Sequence, residues 1–397
     1  MKVTALCGVV GLILGTPTFV AAQYIPSTIG HSKDDSSYIH KVEVIGKDQR
    51  VKLPQKYMKY AKGIGVIFEP GAGWACTAFC VAPSIIGTNA HCLIGRPGRQ
   101  NRTDLSQVKF VFAPNSVTGF THVSSLKFAD QKQVYLSVYA GHYRAKRTTR
   151  EFSNDWAFAK LDSQSCRGNA VEFADMSEHQ INKAAKKKQV FMIGYHGDRG
   201  MQDKLLSTAC TIRSGSNSKY FLPAQRRSIR SAGNLLPHTC DMFRGASGSP
   251  IFVKRGNSAK VVAINAGSTG FAKYRVNRHN NQRRYVWSRQ TNLAIMSKTF
   301  LHGLKRFRTE PLISGKEDLR TLQQILKADG YYRGPIDALY GPGTRGAILK
   351  FEKDKQLAPL GIPTARLLED ARKSRLERKE ELASLDHGSR RKSASKR

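Results

Sequence analysis

Beyond residue 22 the sequence has no apolar run long enough to span a bilayer, so no transmembrane helix is expected in the body of the chain. It has no Cys-x-x-Cys and no His-x-x-x-His spacing, which speaks against a zinc site, and no metal or cofactor is expected. No internal repeat appears, which argues against a solenoid or blade array. Acidic residues are scarce: 29 Asp plus Glu stand against 65 Lys plus Arg, a formal charge of +36 over 397 residues. In the cytosol such a balance would point to nucleic acid.

The start of the chain argues for another compartment. Met1-Lys2, the apolar run Val9 to Leu14 and the small residues Val20-Ala21-Ala22 have the pattern of a signal peptide, 1–22, cleaved after Ala22. Export to the periplasm or the medium of a bacterium follows. It removes Cys7 and leaves six cysteines, an even number that reads as disulfides in an oxidising compartment. Nucleic acid then drops out as a partner. The anions that remain are lipid headgroups, lipopolysaccharide and the carboxylates of wall peptides, which composition does not rank.

Residues 23–41 are polar and Ser/Asp-rich and read as a flexible arm or propeptide. From Val42 to Val138, and again from Val190 to Ile264, short β-branched and aromatic stretches alternate with Gly, Pro and Asn breaks, the pattern of many short strands. Arg144–Arg150 and Gln225–Arg230 read as basic loops, and Tyr274–Arg289 as a polar, basic stretch with a loop at 277–281. Asn292–Leu304 has helical spacing.

One stretch carries the chemistry. Gly245-Ala246-Ser247-Gly248-Ser249-Pro250 can set a serine on a tight turn, its hydroxyl open and neighbouring N–H groups converging, as an acyl-transfer nucleophile requires. A serine needs a base and a group that orients the base. Upstream lie Thr88-Asn89-Ala90-His91-Cys92 and Asn154-Asp155-Trp156-Ala157, giving the order His, Asp, Ser.

This order and these motifs resemble the chymotrypsin-like serine peptidases, and Ser-Gly-Ser-Pro resembles their glutamyl-endopeptidase-like bacterial branch. Val44–Arg50 and Lys62–Ile67 resemble that branch's entry strands, Gly194-Tyr195-His196-Gly197-Asp198 a loop of it, Val261–Gly267 its pocket strand, and Asn292–Ile295 the start of its closing helix. The resemblance implies an all-β double six-stranded antiparallel barrel over 42–305, with Ser247 as nucleophile, His91 as base and Asp155 as its orienting acid. The N–H groups of Gly245 and Ser247 would form the oxyanion hole. It also implies disulfides between Cys76 and Cys92 and between Cys210 and Cys240, leaving Cys80 and Cys166 for each other. Asp241, Asn265 and Gly267 fall where the primary pocket is built. Asp241 stands where trypsin-like relatives bind Lys or Arg, although the bacterial branch carries an Asp there without that preference. Asn265 replaces the histidine of glutamate-specific members, and Ala246 replaces the Asp of the zymogen ion pair.

Residues 306–316, with Pro311, read as a linker. A capping box at Ser314–Glu317 opens an amphipathic helix with Leu319, Leu322, Ile325 and Leu326, and two further helices follow at Pro342 and Thr364, making an all-α three-helix module over 317–372. Leu322-Gln323, Gly330-Tyr331-Tyr332, Gly334-Pro335-Ile336-Asp337, Thr344-Arg345 and Phe351 resemble the small peptidoglycan-binding domain of bacterial wall enzymes. That family usually has Gly at Ala338 and Gln at Glu352. Tyr332, Arg333 and Arg345 are the candidate ligand contacts. Residues 373–397 read as a basic helix extension and a disordered tail. The expectation is an exported serine endopeptidase acting on protein or peptide and targeted to peptidoglycan; the rival is a catalytically idle wall-binding or polyanion-binding protein on the same scaffold.

Overall fold

The computed structural model describes residues 44–94, 104–112, 123–127, 134–141, 153–208, 210–215, 217, 219–276 and 283–394. The expected signal peptide, the arm and the basic stretch 144–150 lie outside these. The described strands are β1 (Val51–Lys52), β2 (Ile64–Phe68), β3 (Ala75–Ala82), β4 (Ile85–Thr88), β5 (Lys109–Val111), β6 (Val123–Ser125), β7 (Val138–Ala140), β8 (Ala157–Lys160), β9 (Val190–Tyr195), β10 (Lys204–Ser207), β11 (Leu235–His238), β12 (Pro250–Arg255), β13 (Ser258–Val276) and β14 (Arg283–Met296). They form two antiparallel seven-stranded sheets, in the orders β6-β5-β2-β3-β4-β8-β7 and β1-β10-β9-β12-β13-β14-β11.

Each sheet curls back on itself. In the first, Leu126 bridges Leu161, and in the second Ile212 bridges His238. Each sheet has one strand more than expected, and in the second sheet β1 reaches the edge beside β10 from the N-terminal segment. This is the chymotrypsin-like architecture, with the N-terminal half of the peptidase part in one sheet and the C-terminal half in the other.

Rings fill the space between the sheets. Phe158 packs edge-on against Phe300 at 4.9 Å, and Tyr139 against Trp156 at 4.8 Å. All four are buried, and such pairs add about 0.5–1.5 kcal/mol each beyond the area they bury. Three disulfides, Cys76–Cys92, Cys80–Cys166 and Cys210–Cys240, join neighbouring segments.

Several local expectations change. Asn292–Met296 is strand rather than helix, because β14 finds a partner on each side, β13 and β11, that satisfies its backbone. The helix waits until Leu301. Gln225–Arg230 is helical, with Pro223 at its start and Gly233 in the left-handed region at its end, a start and stop that outweigh its basic surface. Tyr274–Val276 and Arg283–Arg289 are the two arms of a long hairpin. The loop at 277–281 lies outside the described residues.

The helices are α1 (Gln55–Ala61), α2 (Ala90–Leu93), α3 (Glu178–Lys186), α4 (Pro223–Ala232), α5 (Leu301–Thr309), α6 (Lys316–Ala328), α7 (Pro342–Asp354) and α8 (Ala365–Ala394). The last three make the C-terminal module around Leu322, Leu326, Ile348, Phe351 and Leu367, with Leu136 of the peptidase part joining their core. α6 begins with Gly315 as N-cap and no side-chain cap, so the expected Ser314 box does not form. α8 runs unbroken to Ala394, well past residue 372, where Glu and Lys/Arg alternate at helical spacing.

The stretch expected to link the two parts is packed rather than free: Ile313 is buried and Leu312 bridges Thr364. Arg306 on α5 pairs with Glu310 and, across the junction, with Glu352 on α7, both at 2.7 Å. The other oxygen of Glu352 accepts the N–H groups of Leu360 and Gly361, each at 2.8 Å. The departure from the family's Gln thus builds a buried ion pair between module and peptidase part. Ala338, the other departure, holds a φ of 57°. Its N–H donates to the buried Gln323 amide at 2.8 Å, which offsets a left-handed conformation that favours glycine.

Candidate active site

His91 lies on α2 just after β4, and Asp155 just before β8. Because β4 and β8 pair with Thr88 opposite Ala157, the two residues meet at one end of the first sheet. His91 Nδ1 is 2.7 Å from Asp155 Oδ2, and the His91 backbone N–H donates to Asp155 Oδ1 at 2.9 Å. Asp155 is fully buried and the His91 side chain keeps about a tenth of its surface open. A carboxylate on Nδ1 selects the tautomer whose Nε2 carries no proton. The Asn89 amide donates to the Asp155 carbonyl at 2.6 Å, which ties this corner from behind.

Ser247 comes from the second sheet, on the turn between β11 and β12. Two glycines make that turn. Gly245 has φ +93° and Gly248 φ +86°, and a Cβ on Gly248 would lie 2.1 Å from the Thr77 carbonyl oxygen. The N–H groups of Ala246, Gly248 and Ser249 are bonded to Phe243, Asn265 and Ala246 respectively. Those of Gly245 and Ser247 have no acceptor among the described residues. Two N–H donors left open beside a serine are what an oxyanion hole requires.

Thr77 clasps the turn to the first sheet. Its N–H donates to the carbonyls of Gly245 and Ser247, at 2.8 and 2.9 Å. Its hydroxyl donates to Gly245 and accepts the Tyr195 N–H at 2.9 Å, while Thr88 donates to its carbonyl at 2.8 Å. Thr77 and Asn89 escape sequence reading. Asn89 at least lies within the Thr-Asn-Ala-His stretch, but nothing marks Thr77 beyond its place after Cys76.

The expected pocket residues have other partners. Asp241 is 1 % exposed and its two carboxylate oxygens accept the N–H groups of Ile45 and Gln49, each at 3.0 Å. Burial pushes its carboxyl up against the pull of these donors. Residues 44–50 are irregular rather than an entry strand, and they lie beneath the loop before Ser247. There Arg50 reaches Asp48 at 2.7 Å and Asp198 at 2.6 Å, and holds the Asp48 carboxyl down to about 2. His196 Nδ1 accepts the Phe243 N–H at 3.1 Å. Asn265 is fully buried and donates to the Ala246 carbonyl at 2.8 Å. It therefore braces the serine turn, while Gly267 on the same strand is half-buried.

Cys76, His91 and Cys92 are close enough together to suggest a metal cluster. The two sulfurs are joined in a disulfide, however, and offer no thiolates.

In the module, Tyr332 is buried with its hydroxyl on the Pro335 carbonyl at 2.8 Å, and Arg345 donates to Ala140 of the peptidase part at 2.6 Å. Both serve the structure. Arg333 is exposed, and Ile336 and Leu339 on the following turn are exposed as well.

A two-sheet fold with an Asp–His pair at the end of one sheet and a serine between glycines on a turn of the other has the architecture of the trypsin-like peptidases. Residues 76–264 match the family model of the trypsin-like peptidase domain, and residues 315–369 match that of the peptidoglycan binding domain. The chain therefore combines a trypsin-like peptidase domain with a C-terminal peptidoglycan-binding domain.

Among solved structures, it is similar to a Glu endopeptidase in complex with MPD, at 17% identity over 64% of this chain and 93% of that one, with a TM-score of 0.39. An inactivated protease paralogue of the scabies mite matches at 14% identity over 64% and 96%, with a TM-score of 0.39. A secreted serine protease, VesC from Vibrio cholerae, matches at 11% identity over 66% and 49%, with a TM-score of 0.43. No curated protein matches the chain.

Proposed function

We infer that this peptidase is exported and catalytically active, cleaving peptide bonds through an acyl-enzyme on Ser247, with the C-terminal module holding it at the cell wall. The observation that carries the reading is the 2.7 Å contact of His91 Nδ1 with buried Asp155, together with the open N–H groups of Gly245 and Ser247 on the serine turn. His91 Nε2 takes the Ser247 proton as the hydroxyl oxygen bonds to the carbonyl carbon, and Asp155 stabilises the imidazolium. The carbonyl oxygen, now negative, is held by the two N–H groups, each typically worth about 10²–10³ in kcat. His91 then returns the proton to the departing amine, and water repeats the sequence to release the acid.

Three disulfides support export, since such bonds persist in oxidising compartments. Arg333, Ile336 and Leu339 form the exposed turn of the module and are its proposed wall contacts. The net charge of +36 favours an anionic wall or lipopolysaccharide surface.

A fluorophosphonate probe tests the chemistry. Labelling of the wild type that disappears in both Ser247→Ala and His91→Ala supports it, and a chain that is never labelled returns the protein to the idle-scaffold alternative. Co-sedimentation with purified peptidoglycan, compared between wild type and Arg333→Ala, tests the tether.

A further inference from the structure

The first sheet ends on a strand of three residues, β7, and that strand lies against the segment that carries Asp155. β7 pairs with β8 from Val138 opposite Ala159 to Ala140 opposite Ala157. The Gly141 N–H then donates to the Trp156 carbonyl at 3.0 Å, so by antiparallel alternation the Ala140 carbonyl points the other way, to the outer edge of the sheet. Gly141 also abuts the residue before Asp155: a Cβ there would lie 2.1 Å from the Asn154 carbonyl oxygen. On the other side of Asp155, the Trp156 indole N–H has no acceptor among the described residues. Ring contacts hold it instead, the nearest of them with Tyr139 of β7 at 4.8 Å.

An edge strand this short has few bonds of its own and needs cover. Among the described residues no strand lies outside β7, and the C-terminal module supplies the cover. Arg345 on α7 donates to the Ala140 carbonyl at 2.6 Å, across 205 positions of sequence. The Tyr139 hydroxyl donates to the Pro359 carbonyl at 3.3 Å. Arg345 is itself braced, since a Cβ on Gly361 would lie 3.2 Å from its Cγ, and Gly361 is held by Glu352 and by the Tyr340 hydroxyl at 2.6 Å. Contacts therefore run from Arg345 through the end of β7 to Asn154–Trp156, and so to the carboxylate that orients His91.

We propose that Arg345 is a positioning residue of the active site: by holding the Ala140 carbonyl it fixes the end of β7 against Asn154–Trp156 and keeps Asp155 aligned with His91 Nδ1. The proposal rests on the peptidase reading and adds no covalent step. It gives the module a part in the chemistry besides any contact with the wall. Misplacing a catalytic group by about 1 Å costs up to roughly a hundredfold in rate, so a lost brace shows in the rate before it shows in the fold.

Two readouts on the purified full chain test this. The first is the NMR signal of the His91 Nδ1 proton, which a bond to a carboxylate moves far downfield of the amides and which is assigned by its loss in His91→Ala. The second is fluorophosphonate labelling resolved into a maximal rate and a half-saturating concentration. Arg345→Met keeps the apolar stem and removes the donor, and calorimetry checks that it still melts as one unit. It is expected to broaden the downfield signal or move it toward the amides, and to lower the maximal rate roughly tenfold with the half-saturating concentration within about twofold. Arg345→Lys, which keeps a donor, is expected to restore both. A folded Arg345→Met with unchanged signal and rate overturns the proposal. So does an Arg345→Lys as impaired as Arg345→Met, since packing rather than the carbonyl bond would then be at work. Should Arg345→Met not fold, Arg345→Gln takes its place, because its shorter amide stops short of the carbonyl. If the wild type is never labelled, the peptidase reading fails instead, and the NMR signal alone decides Arg345: a change in Arg345→Met that Arg345→Lys reverses upholds the proposal, and an unchanged signal overturns it.

Discussion

Asp241 accepts the backbone N–H of Ile45 at 3.0 Å, and the two residues lie 196 positions apart. Its second oxygen is taken by Gln49, so the carboxylate is committed to the chain's own N-terminal segment. If Asp241 served a basic substrate residue, Asp241→Asn would abolish any preference for Lys or Arg in a peptide-library cleavage profile. The expected result is an unchanged profile together with a loss of about 1–3 kcal/mol in urea unfolding, the usual cost of leaving a buried donor without its acceptor.

Two buried histidines predict acid sensitivity. Burial, and for His196 also the nearby Arg50 charge, pushes His196 and His238 down from 6.5 to about 3. Both are neutral in the folded protein, with Nδ1 accepting a backbone N–H. A depressed pKa contributes stability that is fully present above the unfolded value and is lost as pH falls below about 6.5. At pH 5 each histidine would have lost about 2 kcal/mol, taking ~1.4 kcal/mol per pH unit. Urea midpoints from pH 7.5 to 5 are expected to fall steeply, and less steeply in a His196→Gln variant.

The junction between the two parts turns on Glu352. Removing one partner of a buried ion pair costs about 3–5 kcal/mol, and Glu352→Ala would also strand the N–H groups of Leu360 and Gly361 and leave Arg306 with Glu310 as its one carboxylate partner among the described residues. Calorimetry is expected to show the single transition of the wild type split in two, with the module unfolding first. A variant that still melts as one unit would show that the packing of Leu136, Tyr139 and Ile362 suffices without the ion pair.

Gly248 has no room for a side chain. At φ +86°, with a Cβ 2.1 Å from the Thr77 carbonyl oxygen, Gly248→Ala is expected to displace the serine turn. Fluorophosphonate labelling would drop at least tenfold, and folding stability by about 1–3 kcal/mol. Gly256 also has positive φ but meets nothing within 4 Å. Gly256→Ala serves as the control: its cost is backbone strain alone, and its labelling rate is unchanged.

The reach of the sequence is clear at particular residues. His91, Asp155 and Ser247 stood out because local turn chemistry marks them: a serine between glycines and an Asn-Asp before an apolar strand are visible within a few positions. The three-helix module was legible for the same reason, since Leu319, Leu322 and Leu326 repeat at the helical period. Asn292–Met296 was misread because Leu293 and Met296 satisfy a helical spacing as well as a strand, and only the presence of β11 and β13 on either side decides between them.

Local pattern by itself marked many short strands, the order of the reactive groups and a helical C-terminal part, while the class of fold was what the resemblance of the motifs implied. Tertiary structure decided what depends on pairing between distant segments: that Asp241 is held by residues 45–49, that Thr77 clasps the serine turn, and that Arg345 and Glu352 serve the junction. A residue's type sets the bonds it can make, but which of its possible partners it meets is set by the register of strands and helices far away in the chain.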